Sequence, residues 1–174
     1  MARILVAAGV LNLVAGNASA EVAGPPGRSP DMVISSVQLD DLRLLVDELG
    51  GTFLAAGQND AGAPFLFARL PDGLTLGMYT VCTDATATDC RGVEFMAAFG
   101  SGLPDRDVAT IDRAFTAVSV YKPDDETVNV SRYVILDHGI TWANLKENAR
   151  VFEALCGRVA ERLSGMGPPP PPSP

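Results

Sequence analysis

Three cysteines, one histidine and two short acidic runs are the residues of this chain with chemistry to offer. Cys82 and Cys90 are separated by seven residues, enough for two adjacent strand ends to meet across a loop. In an oxidising compartment such thiols pair, and closing so short a loop contributes about 2.5 kcal/mol on a chain-entropy estimate. A structural disulfide is the expected reading. A redox pair is normally closer, as in Cys-x-x-Cys, and two free thiols are the remaining alternative. Cys156 falls on an apolar helical stripe, where a buried inert thiol is expected rather than a nucleophile. Its base would have to be His138, the single histidine, which sits in the turn Leu136-Asp137-His138-Gly139 and reads as solvated. No Gly-x-Ser-x-Gly elbow supplies another nucleophile.

Metal and phosphate chemistry find no better footing. One histidine and three cysteines do not make a zinc site once two of the cysteines are oxidised. Asp84 and Asp89 lie inside the Cys82–Cys90 loop and Asp124-Asp125-Glu126 in a turn. Neither group has the spaced oxygen ligands of a calcium loop, so weak surface binding is the most they would support. Gly100-Ser101-Gly102 lacks the glycines and lysine of a phosphate loop. The expectation is a protein without catalytic, cofactor or metal residues that acts by binding. Trp142, Tyr79 and Tyr133 are the candidate partner contacts, and the exposed sheet face or the surface of the first helix is the expected contact region. For Trp142 a half-buried aromatic pinning the start of the last helix is the preferred reading over a partner anchor. An enzyme or small-ligand binder would instead use a pocket between sheet and helices, near Tyr79, Tyr133 and His138.

Charge and the chain ends bound the partners and the compartment. A formal net charge of −8 repels phosphate backbones and anionic lipid heads, so nucleic acid and membrane surfaces are disfavoured partners. Arg3, the apolar run Ile4 to Ala15 and the small residues Ala18-Ser19-Ala20 read as a signal peptide over 1–20, with a buried N-terminal helix as the alternative. The apolar run is too short to span a hydrocarbon core about 30 Å thick, and no cysteine follows it to carry a lipid. A periplasmic or secreted protein is expected. Residues 21–32 read as a flexible leader, 33–164 as one domain, and 165–174 as a proline-rich disordered tail. That tail is either a spacer or a ligand for an aromatic groove.

The elements that would position these residues follow from periodicity. Leu39, Leu42, Leu45, Val46 and Leu49 make one helical stripe, with Asp40 and Asp41 in its first turn and Gly50-Gly51 ending it. Thr52 to Ala56 is a short strand, followed by a turn over 58–62. Strands FLFARL and LTLGMYTVC are joined by Pro71-Asp72-Gly73, a hairpin signal. Leu74, Leu76, Met78 and Cys82 on one strand, and Val93, Phe95, Ala97 and Phe99 on the next, alternate with residues expected on a solvated, polar side. Val108, Ile111 and Phe115 mark a short helix, and Val118, Val120 and then Val128, Val130, Val134 and Leu136 mark two more strands. Thr141 is a plausible N-cap for a last helix with Trp142, Leu145, Ala149, Phe152, Cys156, Val159 and Leu163 in its stripe. The fold class is α+β: an antiparallel sheet of about five strands with helices on one face, in the order α-β-β-β-α-β-β-α.

Several residues in this order resemble the YbjN-domain family of bacterial proteins. They are the first helix ending in Leu49-Gly50-Gly51, the hairpin strand running into Cys82, and Cys90-Arg91-Gly92-Val93-Glu94-Phe95. Ser119–Asp124 and Gly139-Ile140-Thr141 with Asn144-Leu145 complete the set, and the resemblance covers about Val33 to Leu163. It implies a fold like that of type III secretion chaperones and a small non-enzymatic module of sensory or regulatory type, suited to homodimerisation or to gripping a peptide. It supplies no catalytic residues. Family members often carry an Asn-rich, Trp-containing patch at the end of the middle helix. Asp112-Arg113-Ala114 stands there in this chain, so a role of that patch does not carry over.

Overall fold

The computed structural model describes residues 27–84 and 86–165. The apolar run and small residues of the expected signal peptide, and all of the proline-rich tail but Gly165, lie outside them. A two-residue strand, β1 (Val33–Ile34), leads into helix α1 (Leu39–Glu48), and strands β2 (Thr52–Gln58), β3 (Pro64–Arg69), β4 (Thr75–Cys82) and β5 (Cys90–Gly100) follow as a meander. Helix α2 (Asp105–Ala114), strands β6 (Ser119–Tyr121), β7 (Thr127–Ile135) and β8 (Ile140–Thr141), and the long helix α3 (Trp142–Leu163) are the remaining elements among the described residues. Six strands form one antiparallel sheet in the order β2-β3-β4-β5-β7-β6, while β1 and β8 pair apart from it. The architecture is the expected α+β one, with six strands in the main sheet where about five were anticipated.

Local chemistry explains the boundaries. The Asp41 carboxylate accepts from the Gln38 backbone N–H at 2.8 Å, closing the first turn of α1. Gly50, at φ +71°, ends that helix in a conformation that glycine adopts at low cost. The hairpin after β3 turns at Gly73, at φ +92°, and the Asp72 side chain accepts from the Leu74 N–H at 2.9 Å. Thr141 does cap α3, its hydroxyl accepting from the Asn144 N–H at 3.1 Å.

One face of the sheet carries the core. Leu66, Met78, Phe95, Val93, Val130 and Val134 come from neighbouring strands in register and are buried. The stripes of α1 and α3 cover them, and the Phe95 and Phe152 rings lie 5.9 Å apart between sheet and α3. Arg132 is the charged member of this face, which also holds the buried Thr80. Its guanidinium donates to Asn148 Oδ1 on α3 at 2.7 and 3.0 Å and to the Ala117 carbonyl at 2.7 Å, so it satisfies a loop and a helix at once. Helix α2 packs on β6 and ties to it through Asp112, which accepts from the Val120 N–H at 2.8 Å.

The small sheet of β1 and β8 has no counterpart in the sequence-based expectation, since two-residue strands carry no periodicity. It seats the segment before it: the Met32 and Pro30 carbonyls accept from the Trp142 and Ala143 N–H groups at 2.8 and 2.9 Å, which answers the open donors at the start of α3. The later part of the segment read as a leader is therefore docked, with Arg28 paired to Asp41 and its guanidinium 5.4 Å from the Trp142 ring centroid.

Candidate interaction surface

Cys82 and Cys90 bring their sulfurs to 2.06 Å, disulfide distance, at the end of the β4–β5 ladder where they are paired residues. The acids of the enclosed loop serve the loop itself. Asp84 accepts from the Thr88 and Asp89 N–H groups at 3.1 and 3.0 Å and from the hydroxyls of Thr86 and Thr88. Those donors, the Thr86 hydroxyl foremost, hold its carboxyl well below the usual range. Asp89 accepts from Arg91 at 2.7 Å. In the second acidic run Asp124 accepts from the Glu126 N–H at 2.9 Å. Among the described residues no three metal-ligating side chains gather, and no helix is long and apolar enough to cross a membrane.

Cys156 is fully buried. Burial first, and then the Asp72 and Glu153 charges, push its thiol up to about 12. His138 is exposed in its turn, at φ +64°. Cys156 lies four turns along α3 from the Thr141 cap, about 20 Å at 1.5 Å per residue, so the two are not brought together.

Trp142 corrects one expectation. It is 1% exposed, and its indole N–H donates to both Glu48 carboxylate oxygens at 3.1 Å, while Lys146 donates to the same carboxylate at 2.8 Å. It joins α1 to α3 and offers no surface to a partner, because the segment from Arg28 to Met32 closes over it. Burial alone would raise the pKa of Glu48. The Lys146 and Trp142 hydrogen bonds, with the charges of Lys146 and Arg150, outweigh that and hold it below its ordinary 4.5. A depressed folded-state pKa contributes stability that is present above the unfolded value and lost as pH falls through the folded one. Glu48→Gln is accordingly expected to flatten the decline of Tm between roughly pH 5 and pH 3, read by thermal melts across that range.

Tyr79 and Tyr133 lie on the other side of the sheet, and this is the larger correction. That side, expected to be polar, is aromatic and apolar. The register sets Phe65, Tyr79, Glu94 and Tyr133 in one row across β3, β4, β5 and β7. Phe67, Gly77, Met96 and Ser131 form the next row, and Val81, Gly92 and Ile135 the one before. Phe65, Phe67 and Tyr79 make a three-ring cluster with centroids 5.6–5.9 Å apart. Tyr133 is 51% exposed, Ile135 62% and Val81 44%. Burial, and then the Glu94 charge, raise the Tyr79 phenol. Glu94 is the one charged side chain in these three rows. The rival pocket of Tyr79, Tyr133 and His138 between sheet and helices does not form, since core side chains occupy that space.

Three glycines shape this face. A Cβ on Gly57 would meet the Phe65 ring at 2.8 Å, one on Gly77 the Tyr79 ring at 2.9 Å, and one on Gly92 the Tyr133 hydroxyl at 2.1 Å. Each ring lies over a neighbouring glycine, and Phe67 stands edge-on to both Phe65 and Tyr79. Gly92→Ala is expected to lift Tyr133 off the sheet. The readout is faster nitration of that tyrosine, with stability held within about 1 kcal/mol, because the backbone is extended and the ring tip can swing outward. Where β6 stops short of the end of β7, an open hollow of about 600 Å³ adjoins Tyr133, lined by Glu94, Ser119, Ser131 and Arg132 among others. The sequence points to the exposed sheet face, with Tyr79 and Tyr133, as a contact region but not to its apolar character. The signal for it was the run FLFARL, apolar on both alternating sides, with glycines one strand away.

The fold is similar to that of YbjN from E. coli, described as a candidate transcription regulator. The two share 19% identity at a TM-score of 0.55, covering 77% of this chain and 96% of YbjN. It also matches an uncharacterised protein from Methanothermobacter thermautotrophicus at 11% identity and a TM-score of 0.45, over 71% of this chain and 97% of that one. The first likeness establishes a YbjN-like fold. No family model and no curated protein matches the sequence.

Proposed function

We propose that this chain is a non-enzymatic, exported interaction module that binds a protein or peptide segment on its open sheet face. One observation carries the reading: the face turned away from the helices presents Phe65, Phe67, Tyr79, Val81, Tyr133 and Ile135 as a continuous surface, with Tyr133 and Ile135 more than half exposed. Contiguous apolar patches of this kind mark interaction sites, and tyrosine is enriched where interface energy concentrates. The partner is a protein segment with apolar side chains around one basic residue, which would meet Glu94 between the two tyrosines. YbjN is described as a candidate regulator of transcription. An acidic chain of net charge −8 is a poor ligand for DNA phosphates, so regulation here would act through protein contact. The Cys82–Cys90 pair at disulfide distance suits a periplasmic or secreted location.

The test is capture of native partners by the purified chain against the double variant Tyr133→Lys/Ile135→Lys. Loss of the two most exposed apolar contacts of this face is expected to weaken binding by about 2 kcal/mol or more, some thirtyfold, with Tm unchanged. A partner that binds the variant and the unaltered chain equally would overturn the assignment.

A further inference from the structure

The two edges of the main sheet are built differently. Strand β6 is three residues long and carries α2 against it. Strand β2 is seven residues long and, among the described residues, ends the sheet on its side with six of those residues exposed. Its sequence, Thr52-Phe53-Leu54-Ala55-Ala56-Gly57-Gln58, has no charge and no proline. Natural proteins block free edges with lysine, proline, short length or a covering element. Here only the irregularity between Phe53 and Ala55 resembles such a device. Phe53 and Leu54 stand 43% and 46% exposed. Beside the strand, a groove of about 660 Å³ opens between the start of α1 and the disulfide loop, lined by Leu39, Arg43, Ala56, Gln58 and Thr88 among others.

We infer that β2 pairs antiparallel with β2 of a second copy of this chain, joining two six-stranded sheets into one continuous sheet about a two-fold axis. Two properties select a second copy over a foreign strand. The strand is neutral in a chain of net charge −8, so two acidic copies bring it together without opposing like charges. The helix that flanks it is self-complementary as well. Asp40, Arg43 and Asp47 recur one turn apart along the exposed side of α1, and Arg43 reaches toward β2, its guanidinium 5.2 Å from the Phe53 ring centroid. A two-fold axis beside β2 runs the two α1 helices antiparallel, so a one-turn offset sets Arg43 of each copy against Asp40 or Asp47 of the other. Such reciprocal contacts characterise an isologous interface. A seven-residue strand is about 23 Å long, and the ladder alone falls short of the roughly 800 Å² per partner of a standard interface. The exposed side of α1, with Asp40, Arg43 and Asp47, and the exposed Phe53 and Leu54 would add to the ladder. The inference does not rest on the open-face reading, since the edge and the aromatic face are separate surfaces.

Sedimentation velocity on the purified full chain, across a hundredfold range of concentration, tests it. A reversible monomer–dimer equilibrium is expected. Leu54→Lys should weaken it at least tenfold by setting two lysines together at the edge, and Arg43→Glu should do the same. Mixing the Arg43→Glu chain with an Asp40→Arg/Asp47→Arg chain should restore association as a heterodimer. Amide exchange over residues 52–58 should slow as concentration rises in the unaltered chain. A chain that stays monomeric throughout overturns the inference. So does a dimer that Leu54→Lys and Arg43→Glu both leave intact, or one lost in Tyr133→Lys but kept in Leu54→Lys.

Discussion

Phe152→Ala is expected to cost the fold about 3–5 kcal/mol, the range for truncating a large aromatic in a packed core. Phe152 is fully buried on the inner stripe of α3, its ring 5.9 Å from Phe95 at the middle of β5. At Phe95 strand β5 pairs with both β4 and β7, so this contact fastens α3 to the centre of the sheet. The cavity would open between two rigid layers that are slow to collapse into it. For a domain of this size the loss corresponds to a drop in Tm of roughly 10–15 °C. Chemical denaturation should show the midpoint falling with the slope unchanged. A loss under 1 kcal/mol would mean that α3 does not sit on the sheet as described.

The second large effect belongs to the Cys82–Cys90 link. Removing it, by reduction or by Cys82→Ala/Cys90→Ala, is expected to lower stability by about 2.5 kcal/mol, the closure entropy of a short loop. The loop does not depend on the link alone, because Asp84 gathers its backbone and the Cys90 carbonyl accepts from the Val37 N–H at 3.0 Å. The folded chain should therefore survive reduction with its sheet intact. Thiol titration checks the covalent state independently. The native protein should react with no thiol reagent, since Cys156 is buried and its thiol pushed up to about 12. One thiol should appear in denaturant without reductant, and three after reduction. Three reactive thiols in denaturant alone would remove the link from the account.

Much of the fold was legible in the sequence because burial on one side leaves a periodic trace. The alternation of Val93, Phe95 and Ala97 and the long stripe from Trp142 to Val159 each placed side chains on the buried side where the structure has them. What stayed hidden depends on contacts between residues far apart in the chain. Trp142 reads as a half-buried aromatic pinning the start of the last helix or as a partner anchor, and its tie to Glu48, ninety-four positions away, is what local pattern does not show. The strand FLFARL is apolar on both sides, so nothing local reports that Leu66 and Ala68, and not the two phenylalanines, face the core. Gly57, Gly77 and Gly92 look like strand weaknesses until the rings of neighbouring strands are seen lying over them. The exposed sheet face and its two tyrosines were expected as a contact region, while the apolar make-up of that face was thus not legible. It is set by cross-strand register, which no single segment encodes.

The aromatic outer side of the sheet as the contact surface is most directly tested by photo-crosslinking from single positions in the native compartment. A photoreactive side chain replaces Tyr133 in one protein and Glu161, exposed on α3, in another. The account predicts a discrete protein adduct from position 133 that is absent from position 161 and disappears when Val81 and Ile135 are both changed to lysine. Adducts from position 161 alone, or the same adducts from both positions, would contradict it.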